Sequence, residues 1–201
     1  MRKLSPGRLV LATHNQGKID EIRHLIDSHG LTLASARDLN LREPEEPGLT
    51  FRQNAELKAR AAMGASGAPS LADDSGLAIV ALAGRPGVFT ANWSETAGGN
   101  RDFGFAMGKI AHALGVLRAR DNRATFHSCL CLVHPDGEAV FFEGEVKGTL
   151  TFPPRGSGGF GYDPIFVPKG EDRTFGEMSL AEKKKFSHRT RALQKFKAVL
   201  P

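Results

Sequence analysis

The run Arg155-Gly156-Ser157-Gly158-Gly159-Phe160-Gly161-Tyr162-Asp163-Pro164 gathers four glycines around one aromatic ring and ends on a carboxylate. Glycine lets the backbone take positive φ and pass close to a ligand. Phe160 offers a flat face and Asp163 an acceptor, a set that suits a planar, hydrogen-bonding ligand such as a nucleobase. Taken alone, the same run also describes a glycine-rich hairpin turn.

Three further constellations carry chemistry. In Leu71-Ala72-Asp73-Asp74-Ser75-Gly76-Leu77, adjacent carboxylates end one short apolar run and a Ser-Gly turn is expected before the next, Leu77 to Leu82. Neighbouring residues of an extended chain point to opposite sides, so Asp73 and Asp74 do different jobs, one structural and one facing a cleft. Close carboxylates repel, and a hard divalent cation relieves that repulsion; a turn capped by its own side chains is the other reading. The loop Thr13-His14-Asn15-Gln16-Gly17-Lys18 follows a short apolar strand, Leu9 to Ala12, and precedes a helical pattern with Ile19, Ile22 and Ile26 on one face. Free N–H groups and the positive end of the helix dipole there suit phosphate, and Lys18 adds a full charge. The glycine spacing and Gly-Lys-Ser/Thr ending of a Walker A loop are missing.

The third constellation is Glu182-Lys183-Lys184-Lys185-Phe186-Ser187-His188-Arg189. Ser187 suits the N-cap of a helix with Leu193, Phe196 and Leu200 on its apolar face. That places His188 and Arg189 in the first turn, where cations oppose the dipole unless an anion or electron-rich ligand docks. On a helix expected from Thr50 to Met63, Phe51, Ala55, Ala59 and Ala62 form an inward stripe bordered by Asn54 and Lys58. Lys58 either snorkels to the surface or reaches into a cleft that holds phosphates. Upstream, Glu43, Glu45 and Glu46 supply a second metal carboxylate or a solvated linker.

These elements fit one domain over residues 1–201, long enough for an ample core. Strands at 124–133 and 138–147, joined by His134-Pro135-Asp136-Gly137, read as an antiparallel hairpin between helical patterns. The expected class is α/β, with a long twisted mixed sheet, flanking helices and two lobes around a central cleft. The net charge of +5 comes from the C-terminal segment, since the rest of the chain holds fewer basic than acidic side chains. Aromatic residues are 7% of the chain and form no stacking series, so no nucleic-acid track is expected. Apolar stretches are too short to cross a membrane, and residues 1–6 lack the apolar core of a signal peptide. Cys129 and Cys131, at i, i+2 on a strand, read as two reduced thiols of a cytoplasmic protein.

In this order the segments resemble the inosine triphosphate pyrophosphatase family, from Leu9 to about Leu200. The resemblance rests on Thr13 to Lys18, Phe51-Arg52-Gln53-Asn54-Ala55 with Lys58, Ala72 to Leu77, Gly84-Arg85-Pro86-Gly87-Val88, Gly158 to Pro164, and Ser187-His188-Arg189. His14 stands where many members have Gly. Gln53 stands where many have Glu, and is expected to remove a negative charge near the metal. The resemblance implies hydrolysis of non-canonical purine nucleoside triphosphates (ITP, dITP, XTP) to the monophosphate and pyrophosphate, with Mg²⁺ required. It implies that Thr13, His14, Asn15, Gln16, Gly17 and Lys18 hold the triphosphate, joined by Lys58 and Lys183. Asp74 is the implied proton acceptor and a Mg²⁺ ligand, with Glu45 the second acid. Ser75 is implied to contact substrate, and Phe160, Gly161, Tyr162, Asp163, His188 and Arg189 to enclose and read the base. A homodimer is implied as well.

Overall fold

The computed structural model describes residues 2–26 and 29–201, apart from the side chains of Glu21 and His24. Met1, at the head of the N-terminal stretch read above, lies outside them. Six strands, β1 (Gly7–Leu11), β2 (Leu31–Ser35), β3 (Ser70–Ile79), β4 (Arg123–Val133), β5 (Ala139–Leu150) and β6 (Phe166–Pro168), form one sheet in the order β2-β1-β3-β4-β5-β6. β1 is parallel to β2 and β3, and β5 is antiparallel to β6, so the sheet is mixed, as expected. The helices flanking it are α1 (Gln16–Ile26), α2 (Phe51–Ser66), α3 (Phe103–Val116), α4 (Leu180–Lys183) and α5 (His188–Phe196). The chain divides into two compact units: Met1–Asp74 with Ser128–Glu143 and Arg191–Pro201, and Ser75–His127 with Gly144–Thr190.

In the first unit, strand alternation sorts side chains onto two faces. Leu9 and Leu11 of β1, Leu71 of β3 and Leu130 and Leu132 of β4 pack with Ile19, Ile22 and Ile26 of α1 and with Ala192 and Phe196. The residues between them, Ala72, Cys129, Cys131 and Val133, pack against Ala55 and Ala59 of α2. Burying each of the three isoleucines contributes about 1.5–3 kcal/mol, which fixes α1 to its face. Both thiols are free and buried, and burial pushes each up to about 12, where thiolate chemistry is suppressed.

Local signals account for the helix boundaries. The Asn15 carbonyl accepts from Ile19 N–H and its side chain from Lys18 N–H, so α1 starts at Gln16 and takes in Gln16, Gly17 and Lys18 from the expected loop. α2 opens with a capping box between Thr50 and Gln53 and stops at Gly67, which takes φ +67°. The Gln53 side-chain oxygen accepts from the N–H groups of Leu49 and Thr50. These bonds give Gln53 a capping role at the start of α2. Ser187 Oγ accepts from Thr190 N–H at 3.1 Å, the expected start of α5. Leu200 is buried but lies beyond α5, after a 3₁₀ turn at Lys197–Val199.

The expected Ser75-Gly76 turn does not form, because β3 runs unbroken from Ser70 to Ile79. β3 lies between β1 and β4 in the sheet order, with β1 paired to it at Ser70 and Leu71. Leu71, Ala72, Leu77 and Ile79 are fully buried along it, and that burial outweighs a two-residue turn signal. In the second unit, an aromatic core of Phe126, Phe166 and Phe175 supports the segment that follows Pro153, with Phe126 and Phe166 centroids 4.6 Å apart.

Candidate active site

β1 ends at Leu11, paired with Leu71, while β3 continues through Asp73 and Asp74. From β1 the chain leaves through α1 toward β2, whereas β3 lies on the other side of β1. Such a divergence opens a crevice at the carboxyl end of a parallel strand, the usual ligand site of open α/β sheets. α1 and α2 cover opposite faces, so each delivers a lysine to that strand end from its own side.

The two carboxylates take one lysine each. Asp73, on the α1 face, lies 2.6 Å from Lys18 Nζ through Oδ2, and its Oδ1 accepts from Ser128 Oγ at 2.9 Å. Asp74, on the α2 face, accepts from Lys58 Nζ at 3.0 Å, and Lys58 also donates to Glu46 at 2.9 Å. The Lys58 side chain is only 8% exposed, which settles the two readings of its position: it reaches inward. Of the acidic loop residues Glu43, Glu45 and Glu46, the one that meets Lys58 is Glu46. Asn54, one turn before Lys58, accepts from Gly48 N–H at 2.8 Å and so pins the acidic loop to α2.

Burial pushes Asp74 up to about 6; Lys58 opposes the shift, and Glu46 and Asp73 add to it. Burial pulls Lys58 down, yet Asp74 and Glu46 outweigh it and hold its ammonium above the ordinary range. Asp74 Oδ2 is buried without a hydrogen-bond partner among the described residues. A buried acceptor with no donor is costly, so this oxygen is set for a ligand atom. The donor set fits Mg²⁺: hard carboxylate oxygens on Asp74 and Glu46, with remaining positions left to water and phosphate oxygens. No group of three or more His, Cys, Asp or Glu side chains among the described residues forms a protein-only cage. A cavity of about 190 Å³ beside Lys58 is lined by His14, Arg42, Glu43 and Pro44, and His14 Nδ1 is buried with no hydrogen-bond partner among the described residues. Thr13 Oγ1 accepts from Asn15 N–H, and Gln16 accepts from Arg37, so these two shape the loop.

The second unit holds the other expected group. Asp163 is buried and accepts from Phe160 N–H at 2.8 Å and from Lys183 Nζ at 2.5 Å. Gly159, immediately before Phe160, has φ +72°, and a Cβ there would lie 2.1 Å from the Asp163 carboxylate, so only glycine fits. Burial raises Asp163 above the ordinary carboxylate range against the pull of Lys183. Phe160 stays half exposed, with Lys183 Nζ 4.5 Å and the Arg189 guanidinium 5.3 Å from its ring centroid. His188 is buried, its ring stacked on Phe126 at 4.8 Å. Lys183, expected on the triphosphate, therefore sits with Asp163 and Phe160.

Tyr162 is buried, its ring edge-on to Phe103 and its hydroxyl donating to the Thr90 carbonyl, so it anchors the loop. Gly161, at φ +67°, bends the chain between Phe160 and Tyr162. Ser75 follows Asp74 on β3 and is half-buried. Sequence reasoning missed Ser128, Phe126 and Phe175. A lone buried hydroxyl at the head of the run Cys129 to Val133 was the available signal for Ser128; the two phenylalanines looked like any core aromatics.

The first unit thus sets two helix-borne lysines on paired carboxylates at a parallel strand end, the second unit holds a ring-and-cation loop, and the fold is α/β. The chain belongs to the Ham1 family, whose model matches residues 9–199. It is 54% identical to a dITP/XTP pyrophosphatase of Agrobacterium fabrum, covering 98% of this chain and 97% of that one. It is 52% identical to the dITP/XTP pyrophosphatase of Rhizobium meliloti over the same shares. Among solved structures, a HAM1 protein from Coxiella burnetii matches with a TM-score of 0.90 at 34% identity, covering 96% of this chain and 97% of that chain.

Proposed function

We propose that this protein hydrolyses non-canonical purine nucleoside triphosphates, ITP, dITP and XTP, to the monophosphate and pyrophosphate. The observation that carries the reading is Asp74: one oxygen held by Lys58, the other buried without a hydrogen-bond partner among the described residues. Relatives of about half-identical sequence named dITP/XTP pyrophosphatase support it.

A triphosphate carries about four negative charges, so water attacking the α-phosphorus meets strong repulsion. Lys18 and Lys58 neutralise phosphate charge as it shifts toward the leaving pyrophosphate, and the N-terminus of α1 with His14, Gln16 and Gly17 adds N–H donors, in a loop shaped by Thr13 and Asn15. Asp74 orients the attacking water and accepts its proton. Mg²⁺ held by Asp74 and Glu46, or by the expected Glu45, would supply further charge neutralisation at the phosphoryl oxygens. Ser75, next along β3, meets the substrate beyond Asp74.

In the second unit, Phe160 stacks on the purine, and Lys183, His188 and Arg189 face its 6-oxo group as donors. Adenine presents an amino donor at that position, which leaves these donors unpaired, and such a mismatch discriminates by ~10⁴ or more. The nucleic-acid-binding alternative weakens, because Lys183 and Arg189 of the basic segment are buried and lie against Phe160. A homodimer in the cytoplasm, without nucleic acid or membrane partners, completes the proposal on the strength of the family. No helix among the described residues is long and apolar enough to cross a membrane.

The test is a triphosphate panel assayed for phosphate with and without added inorganic pyrophosphatase, and with Mg²⁺ or EDTA. Phosphate from ITP, dITP and XTP only when pyrophosphatase is added, and only with Mg²⁺, is expected. Direct release of orthophosphate, or equal turnover of ATP, overturns the reading. Sedimentation velocity tests the dimer.

A further inference from the structure

Ser128 occupies a position on β4 where an apolar side chain is the ordinary choice. The next five residues, Cys129 to Val133, are all buried and apolar, and Ser128 is itself 1% exposed. A buried hydroxyl is costly unless it is bonded, and this one donates to Asp73 Oδ1. By strand alternation Ser128 shares a face with Leu130 and Leu132, the α1 face, where Asp73 and Lys18 also lie. The Asp73 carboxylate is thus held at both ends: Oδ1 by Ser128 across the sheet, Oδ2 by Lys18 from the helix.

A carboxylate held by one oxygen can still turn about its terminal torsion, which is broad. With both oxygens engaged, its plane is fixed, and the direction from which Lys18 is held is fixed with it. Lys18 has a long side chain on the first turn of α1, and an unrestrained lysine loses considerable rotamer freedom when it docks on phosphate. The ion pair with Asp73 removes that freedom in advance.

We propose that Ser128 is a positioning residue for Lys18: through Asp73 it sets the direction in which the ammonium is presented to the triphosphate. This rests on the reading of Lys18 as a phosphate ligand given above. Ser128 acts through Asp73, whose direct partner on the helix side is Lys18.

The experiment is a double-mutant cycle between Ser128→Ala and Lys18→Ala, read as kcat/KM for ITP with Mg²⁺, with Ser128→Cys as a second variant of nearly equal volume and a poor donor. Thermal melts of all variants report the fold. Hydrogen bonds to charged groups of this kind set the scale, so Ser128→Ala and Ser128→Cys should each lower kcat/KM about tenfold in the Lys18 background. In the Lys18→Ala background the serine substitution should change nothing. Equal losses from Ser128→Ala in both backgrounds, or wild-type activity in Ser128→Cys, overturn the positioning role. Undiminished turnover by the single variant Lys18→Ala is a different result: it removes the phosphate reading, and this proposal with it.

Discussion

The Lys58 ammonium lies 3.0 Å from Asp74 Oδ1, and this contact opposes the burial that raises the pH at which Asp74 accepts a proton. Burial favours the neutral carboxyl and the lysine favours the anion. Glu46, 2.9 Å from the same ammonium, competes for it and adds its own repulsion. The outcome, a carboxyl near 6 in place of the ordinary 3.8, is a base whose affinity for a proton sits close to neutral pH.

Activity should therefore fall as pH drops through about 6, since below it Asp74 already carries a proton. Asp74→Asn removes the charge with little change of shape. Its kcat should fall by about 10² or more, the scale of general-base contributions, with the melting temperature kept within a few degrees. Steady-state rates on ITP with circular dichroism melts check both halves, and a variant turning over at near wild-type rate would remove Asp74 from the proton-acceptor role.

Lys58→Met tests the sign of the coupling. Removing the cation removes the influence that lowers Asp74, so the acidic limb of the rate profile should move to higher pH while the plateau rate also drops. The terminal phosphate of the substrate titrates in the same region, near about 6, but its limb is the same for both enzymes. A limb that stays fixed, or moves down, contradicts the assignment.

Much of this site was legible in the sequence because its signals are local. Period-two alternation separated Asp73 from Asp74, and the isoleucine spacing placed α1. The stripe Phe51, Ala55, Ala59 and Ala62 placed α2 and set Lys58 beside a small-residue face. What stayed hidden depends on contacts between distant segments. The Ser75-Gly76 turn was overruled by the burial of Leu77 and Ile79, which keeps β3 extended, and the partner of Lys58 depended on how Asn54 holds the acidic loop. The resemblance implied a triphosphate role for Lys183, and its pairing with Asp163, twenty residues earlier, was not visible in the sequence.

Arg189→Ala should narrow base selectivity more than it lowers turnover. The guanidinium lies 5.3 Å from the Phe160 ring, where it can face a stacked base. Losing a donor aimed at a 6-oxo group costs about 1.5–3 kcal/mol, so the ratio of kcat/KM for ITP over ATP should fall by about tenfold or more. Competition assays with mixed substrates measure that ratio directly, and an unchanged ratio would place Arg189 outside base recognition.

Gln53 distinguishes helix capping from metal chemistry. Its oxygen accepts from Leu49 and Thr50 N–H groups, while its own N–H donates to Thr50 Oγ1, so its role is to start α2. A glutamate at this position completes the same capping box and adds a negative charge beside the helix N-terminus, favourable by about 0.3–1 kcal/mol. Gln53→Glu should therefore raise the urea midpoint slightly, and Gln53→Ala should lower stability by about 1 kcal/mol, the scale of a lost cap. Neither should change the Mg²⁺ concentration that gives half-maximal ITP hydrolysis. Were the side chain near the metal, Gln53→Glu would tighten that Mg²⁺ dependence severalfold; the capping geometry requires that it stay where it is.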